Sequence, residues 1–373
     1  MATLVRDQID ISPPADTGQR GRPAIPERLI SLDAFRGFIM TVLAAQGFGL
    51  AKLKDDPDWG WLGWQFEHVR WEGMTFWDLI QPAFMFMVGL AMPFAFAVRR
   101  LREGQGAVWK HVAYRSFMLI VLSNLLISIS AGKLRFQLIN VLAQIALAYF
   151  ICYWLMKLSV KTQAVCAGLI LAGYTALFMA WPGARGPYSM GDNIGERVDQ
   201  FVFGASNPGH WATINFIPSI VVTLAGVWCG YLMMTDWTHR KRMQWLAVGG
   251  VASLAVGHGM GLFLPIIKRI HTTSYTIAAC GWVVLILLAL YWMVEVRGWK
   301  RVTWPLVVVG MNSMFIYCLH MVLTGWTDRA VGVFTLKYAV LGKWGPVAQA
   351  CTVFLPMWYL CYWLYKRRIY VKI

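Results

Sequence analysis

From about residue 29 onward the chain alternates long apolar runs with short polar clusters. A helix needs about 20 apolar residues to cross a bilayer, and segments of that kind fall at 34–53, 77–98, 112–130, 136–158, 162–181, 214–235, 245–264, 274–294, 303–325 and 345–365. The pattern predicts an all-α fold: a polytopic integral membrane helix bundle of about ten transmembrane helices. Residues 1–28 carry Pro13, Pro14, Pro23 and Pro26, several charges and no apolar run, so they read as a disordered cytoplasmic tail and not as a signal peptide. Residues 29–373 read as a single transmembrane domain.

The charges then orient the helices. Of the 34 Lys and Arg residues, 20 fall on the side of the termini and 12 on the other, with Arg36 and Arg115 inside apolar runs. The positive-inside rule places both termini in the cytoplasm. The long connections at about 54–76 and 182–213, and the stretch around 326–344, then lie outside. Long connections in a compact bundle tend to carry function, and the first is rich in tryptophan: Trp59, Trp61, Trp64, Trp71 and Trp77. An aromatic lid over a sugar and a plain interfacial belt fit that composition equally.

Composition narrows the class without changing it. The chain is 58% hydrophobic and 14% charged, outside the range of soluble domains. Its net charge of +16 is dispersed in clusters between apolar runs, which argues for membrane orientation and against a nucleic-acid partner. The seven cysteines all lie inside apolar runs, with no CxxC pair and no metal-ligand spacing, so they read as small packing residues.

The stretch Phe66–Pro93 carries the candidate chemistry. His68, Glu72 and Asp78 stand at the mouth of an apolar run, where ionisable groups are costly unless paired, hydrated or used. Asp78 also begins a helix, where capping alone explains a carboxylate. Asp33 and Arg36 share a face of the first helix, as a structural ion pair or as an anion site. Asn140 and Gln144 are spaced i, i+4, and Asn312, Ser313 and His320 punctuate a late apolar run, where interhelical hydrogen bonding is the ordinary reason for such residues. Gly257, Gly259 and Gly261 read as a close-packing face and not as a phosphate loop.

Taken together, SLDAFRG (31–37), EHVRWEGMTFWDLIQPAFMFMVG (67–89), VLAQIALAY (141–149), LPIIKRIHTTS (264–274) and VVVGMNSMFIYCLH (307–320) resemble the heparan-α-glucosaminide N-acetyltransferase family and its bacterial relatives. The resemblance implies a transmembrane acyltransferase that takes acetyl-CoA from the cytosolic side and passes the acetyl group to an amino or hydroxyl group of a sugar or glycan on the far side. It implies His68 as the active-site histidine, followed by Trp71 and Asp78, and a late motif of Gly310, Met311, Asn312, Ser313 and His320. It also implies a possible homo-oligomer, a dimer by family analogy. This chain departs from the family's pattern at Glu72, where an asparagine is usual, around Ala45-Gln46-Gly47, at Ile267 in the P-x-N-K segment, and at His271, where the family has tryptophan.

Acyl transfer from a thioester requires a nucleophile, a base for its proton and donors for the developing oxyanion. Histidine suits the base role, or that of a covalent acyl relay. The resulting expectation assigns His68, Asp78 and Glu72 to catalysis and Asn312, Ser313, His320 and Trp71 to positioning. Arg36, Arg115, Arg99 and Arg100 are assigned to the phosphates of acetyl-CoA, the co-substrate, and no metal is expected. The compact, leaderless chain points to a bacterial cytoplasmic (inner) membrane. Two other readings stay open: a small-molecule transporter or flippase using the intramembrane charges as relays, and a catalytically altered structural subunit with a membrane-complex partner.

Overall fold

The computed structural model describes residues 29–371; the stretch 1–28, expected to be a disordered tail, lies outside the described residues. Thirteen α-helices follow one another among them. The first, α1 (Ile30–Ala44), is followed by a tight helical segment, Gln46–Leu53, bent from it by 53°. The expected straight run over 34–53 breaks there because Gln46, Gly47, Phe48 and Gly49 take left-handed backbone angles, with φ of 50, 60, 55 and 68°. A short α2 (Gly60–Gln65) lies in the next connection, and the turn Phe76–Leu79 leads into α3 (Ile80–Glu103). Then come α4 (Gln105–Ala131), α5 (Val141–Leu155), α6 (Val160–Ala180), α7 (Ile194–Phe203), α8 (Phe216–Met233) and α9 (His239–Met260). The chain closes with α10 (Thr273–Tyr291), α11 (Lys300–Met311), α12 (Ser313–Thr335) and α13 (Gly345–Lys366).

Among the described residues, six helical stretches are long and apolar enough to cross a membrane, or seven if α1 and its bent continuation form one passage. One of the six, Ser313–Lys366, contains both α12 and α13. Three of the ten expected runs do not stand there as unbroken spanning helices of their own. α5 has only 15 residues; α9 dilutes its apolar positions with Gln244, Ser253, His258 and several glycines; and the run 303–325 is not one helix, because Asn312 leaves helical geometry at φ −122°, ψ 37° and separates α11 from α12.

Close helix contact is built on missing side chains. A Cβ on Gly89 of α3 would stand 1.9 Å from the Thr223 carbonyl oxygen of α8, and one on Gly226 would stand 2.0 Å from that of Phe86. The two backbones therefore touch, as small residues allow in membrane bundles. Gly257 of α9 packs in the same way on Ala278 of α10, whereas Gly259 faces open space. Phe35, Phe86, Met85, Leu90, Val283 and Tyr291 fill the centre of the bundle. The outer faces of α4 and α6 expose Phe117, Val121, Leu125, Ile129, Val165 and Leu169, an apolar surface suited to lipid.

The first and last described segments share one end of the bundle. Gly310 abuts the Asp33 backbone near the start of α1, and the Val371 amide donates to Asn312 Oδ1 at 3.1 Å. The stretch around His68 lies at the opposite end, beyond Ala44, where Gly47 packs against Phe66 and Trp77.

Candidate active site

Helix-entry chemistry fixes the central carboxylate. In Thr75-Phe76-Trp77-Asp78 the Asp78 side chain reaches back, as a capping residue does, and its Oδ2 accepts the Thr75 amide at 3.1 Å. The Thr75 hydroxyl lies 3.0 Å from the same oxygen and donates to the Glu67 carbonyl at 2.7 Å, which ties down the residue before His68. The buried Tyr275 hydroxyl donates to the Asp78 carbonyl at 2.7 Å. Asp78 is 1% exposed, so capping accounts for one carboxylate oxygen and leaves Oδ1 for another partner.

That partner is His68, whose Nδ1 lies 2.7 Å from Asp78 Oδ1. Because an ionised carboxylate can only accept, Nδ1 carries the proton and Nε2 keeps the lone pair. Lys268 completes the cluster, its Nζ 3.3 Å from Asp78 Oδ1 and 3.2 Å from His68 Nδ1. Burial lowers the basicity of His68, Asp78 opposes that effect, and the positive charges of Lys268 and Arg269 add to it. Burial pulls the Lys268 ammonium down to about 8 against the pull of Asp78.

The imidazole is 40% exposed and lines a cavity of about 370 Å³. Leu43, Ile80, Gln81, Phe84, Asn140, Val141, Tyr317 and Met321 wall it on the helix side, and His68, Trp77, Trp211 and Lys268 on the loop side. Trp211 stands edge-on to the imidazole at 5.8 Å and lies under the Lys268 ammonium at 4.9 Å. From the wall a buried chain of amides runs inward, Gln81 donating to Gln144 and Gln144 to Asn215. This arrangement can take a proton at Nε2 from a group held in the cavity.

The other residues singled out in the sequence are spread over the molecule. Glu72 is exposed, and it is Asp78 that meets the imidazole. Trp71 donates its indole N–H to the Tyr188 carbonyl at 2.8 Å and packs edge-on against His210, bracing the two long connections together. His320 bonds Thr324 at 2.9 Å and faces the Ala44 carbonyl, at the His68 end and next to the cavity-lining Met321. Asn312, buried, and Ser313 lie about two helical turns from His320, towards the Asp33 level of α1. Arg36 pairs with Asp33 at 3.5 Å at that same level.

Arg115 lies over the Tyr149 ring at 4.9 Å, and Arg99 pairs with Glu103 at 3.1 Å. Arg100 lines a second cavity, of about 240 Å³, with Phe96, Met156 and Tyr231. At 1.5 Å per helical residue Arg100 is roughly 33 Å from Asp78 along α3. Sequence reasoning gave Lys268 no role, counting it as an outer-side positive charge and as the last position of the P-x-N-K segment; its signal was the basic pair Lys268-Arg269 between isoleucines in LPIIKRIHTTS.

Two curated proteins match the chain. It is 26% identical to the human heparan-α-glucosaminide N-acetyltransferase over 376 residues, covering 81% of this chain and 54% of the relative. It is 25% identical to the mouse protein of the same name over 433 residues, covering 96% of this chain and 62% of the relative. The chain is thus similar to heparan-α-glucosaminide N-acetyltransferases along most of its length. It spans little more than half the length of these two N-acetyltransferases, and no family model matches it.

Proposed function

We propose that this chain is a membrane acetyltransferase that moves an acetyl group from acetyl-CoA to an amino or hydroxyl group of a sugar, with His68 as general base. The observation that carries this reading is the His68–Asp78 pair on a cavity wall at one end of an apolar bundle, in a chain similar to named N-acetyltransferases. Nε2 takes the proton from the acceptor N–H or O–H as its nitrogen or oxygen attacks the thioester carbonyl. The C–S bond breaks, the departing thiolate takes the proton from the imidazolium, and Asp78 holds the ring in one tautomer throughout. His320, beside the cavity wall, positions the acceptor.

The Lys and Arg distribution supports an orientation with His68 at the outer face and both termini cytoplasmic, in what we read as a bacterial inner membrane. The shared end of the first and last described segments supports their lying on one side of the membrane. In this arrangement α5, α9 and the broken α11–α12 pair raise the number of passages towards ten. Arg36, Arg99, Arg100 and Arg115 stand on the cytoplasmic side, where a CoA arriving from the cytosol meets positive charge. Lys268 and Arg269 are the cations nearest the base for a donor approaching from the cavity.

The test is transfer of radiolabelled acetyl from acetyl-CoA to mixed amino sugars by the purified protein in lipid, wild type beside His68→Ala. Transfer by wild type that vanishes in the variant supports the reading. Transfer unchanged in His68→Ala removes the base from His68, and absence of coenzyme A binding by wild type sinks the enzyme reading.

A further inference from the structure

We propose that Lys268 is a positioning residue that keeps the His68 imidazole in its neutral, proton-accepting form. The proposal rests on the assignment of His68 as base and adds the group that sets its protonation. Two carbonyl-anchored turns aim the lysine inward: the Gly73 amide donates to the Ile266 carbonyl at 2.8 Å, and the His271 amide to the Lys268 carbonyl at 3.0 Å. Its side chain is 8% exposed, a burial that lysine rarely tolerates without a paired charge.

Asp78 supplies that charge, but through the same oxygen that serves His68. An Asp78–His68 pair alone would stabilise the imidazolium and leave the base protonated at neutral pH. An ammonium 3.2 Å from Nδ1 has the opposite effect. With the Nδ1 proton directed at Asp78, the lysine cannot donate to that nitrogen, so it acts on the ring through charge and through its share of the carboxylate. Adding a proton at Nε2 then puts two cations beside one anion in a partly buried site, and the imidazolium sheds its proton readily. Asp78, Lys268 and Arg269 act electrostatically on His68; Asp78 and Arg269 act on Lys268, which in turn acts on His271. Lys268, Arg269 and His271 all come from the connection between α9 and α10.

A lysine that merely holds two segments together would leave the ionisation of His68 alone, so the deciding readout is that ionisation. Diethyl pyrocarbonate modifies neutral imidazole. Its rate at His68, followed by peptide mass spectrometry on the full chain in lipid nanodiscs from pH 4.5 to 8.5, reports the midpoint without reference to any acetyl transfer. The wild-type midpoint is expected below the ordinary histidine value of about 6.5. In Lys268→Met it is expected to rise by about one pH unit or more, and in Lys268→Arg to stay near wild type. The acid limb of the transfer rate moves with it, so that Lys268→Met regains kcat at alkaline pH. A wild-type midpoint above that of ordinary histidine, which needs no variant to fold, overturns the proposal. So does a Lys268→Met midpoint that stays put or falls. Because the modification reads ionisation directly, a protein inactive with amino sugars tests the proposal equally well.

Discussion

Asp78 Oδ1 lies 2.7 Å from His68 Nδ1, while the other oxygen of the same carboxylate accepts the amide of Thr75 at 3.1 Å. One side chain thus caps the entry to α3 and orients the imidazole, which couples the geometry of the base to a helix whose apolar span is largely buried in the bundle. Asp78→Asn keeps an acceptor for the Thr75 amide but removes the charge that fixes the His68 tautomer. Transfer is expected to fall by about 100-fold or more while the protein still elutes as a single species in detergent. A variant with wild-type kcat would detach Asp78 from the chemistry.

Glu72 provides the contrast. It is exposed, and the imidazole already has its carboxylate. Glu72→Gln is expected to leave transfer within a factor of about two of wild type, the range of a surface substitution away from special features. A loss comparable to that in Asp78→Asn, measured in the same assay, would restore Glu72 to the reacting group.

Sequence reading set His68 beside both Asp78 and Glu72, because all three stand in one short stretch, and the helix start at Thr75 is what singles out Asp78. The all-helical, apolar architecture was legible for a similar reason, since helical spans impose a length that hydropathy records. Lys268 was not, because it lies 200 positions from His68, and charge at a loop reads first as topology. Asn312 and His320 illustrate the limit of helical periodicity. Eight residues apart, they share a face only if the helix is continuous, and the break at Asn312 leaves that residue about two turns from His320 and away from the His68 cavity. The bend after Ala44 escaped notice because it depends on four consecutive left-handed residues, only two of which are glycine.

Helix contact at α3 and α8 gives a stability test separate from catalysis. Gly89→Ala would place a methyl group 1.9 Å from the Thr223 carbonyl oxygen. The clash is with backbone, so the helices must separate along their length and lose packing on both sides. Folded yield in detergent and melting temperature are expected to drop sharply. Gly168→Ala, on a part of α6 with nothing within 4 Å of the new Cβ, is expected to be neutral or stabilising by about 0.5–1 kcal/mol through helix propensity. Equal effects from the two substitutions would contradict the close α3–α8 approach.

His271 makes stability depend on pH. It is fully buried, its Nδ1 lies 3.3 Å from the Ser219 hydroxyl, its Nε2 has no hydrogen-bond partner among the described residues, and burial, with the nearby Lys268 charge, pushes its pKa down to about 3. An unfolded histidine titrates near 6.5, so between pH 6.5 and 3 the unfolded chain holds a proton that the folded site refuses. Stability from this residue is therefore complete above pH 6.5 and is lost as the pH falls, by roughly 1.4 kcal/mol for each unit until the folded site itself titrates. The backbone at His271 is left-handed, with φ of 46°, a geometry that asparagine tolerates better than most residues. His271→Asn is accordingly the substitution least confounded by strain. Melting of wild type and His271→Asn in the same detergent from pH 7 to pH 4 should show a steeper decline for wild type. Parallel declines would mean that His271 takes up its proton while still folded, through a polar contact that its buried setting does not provide.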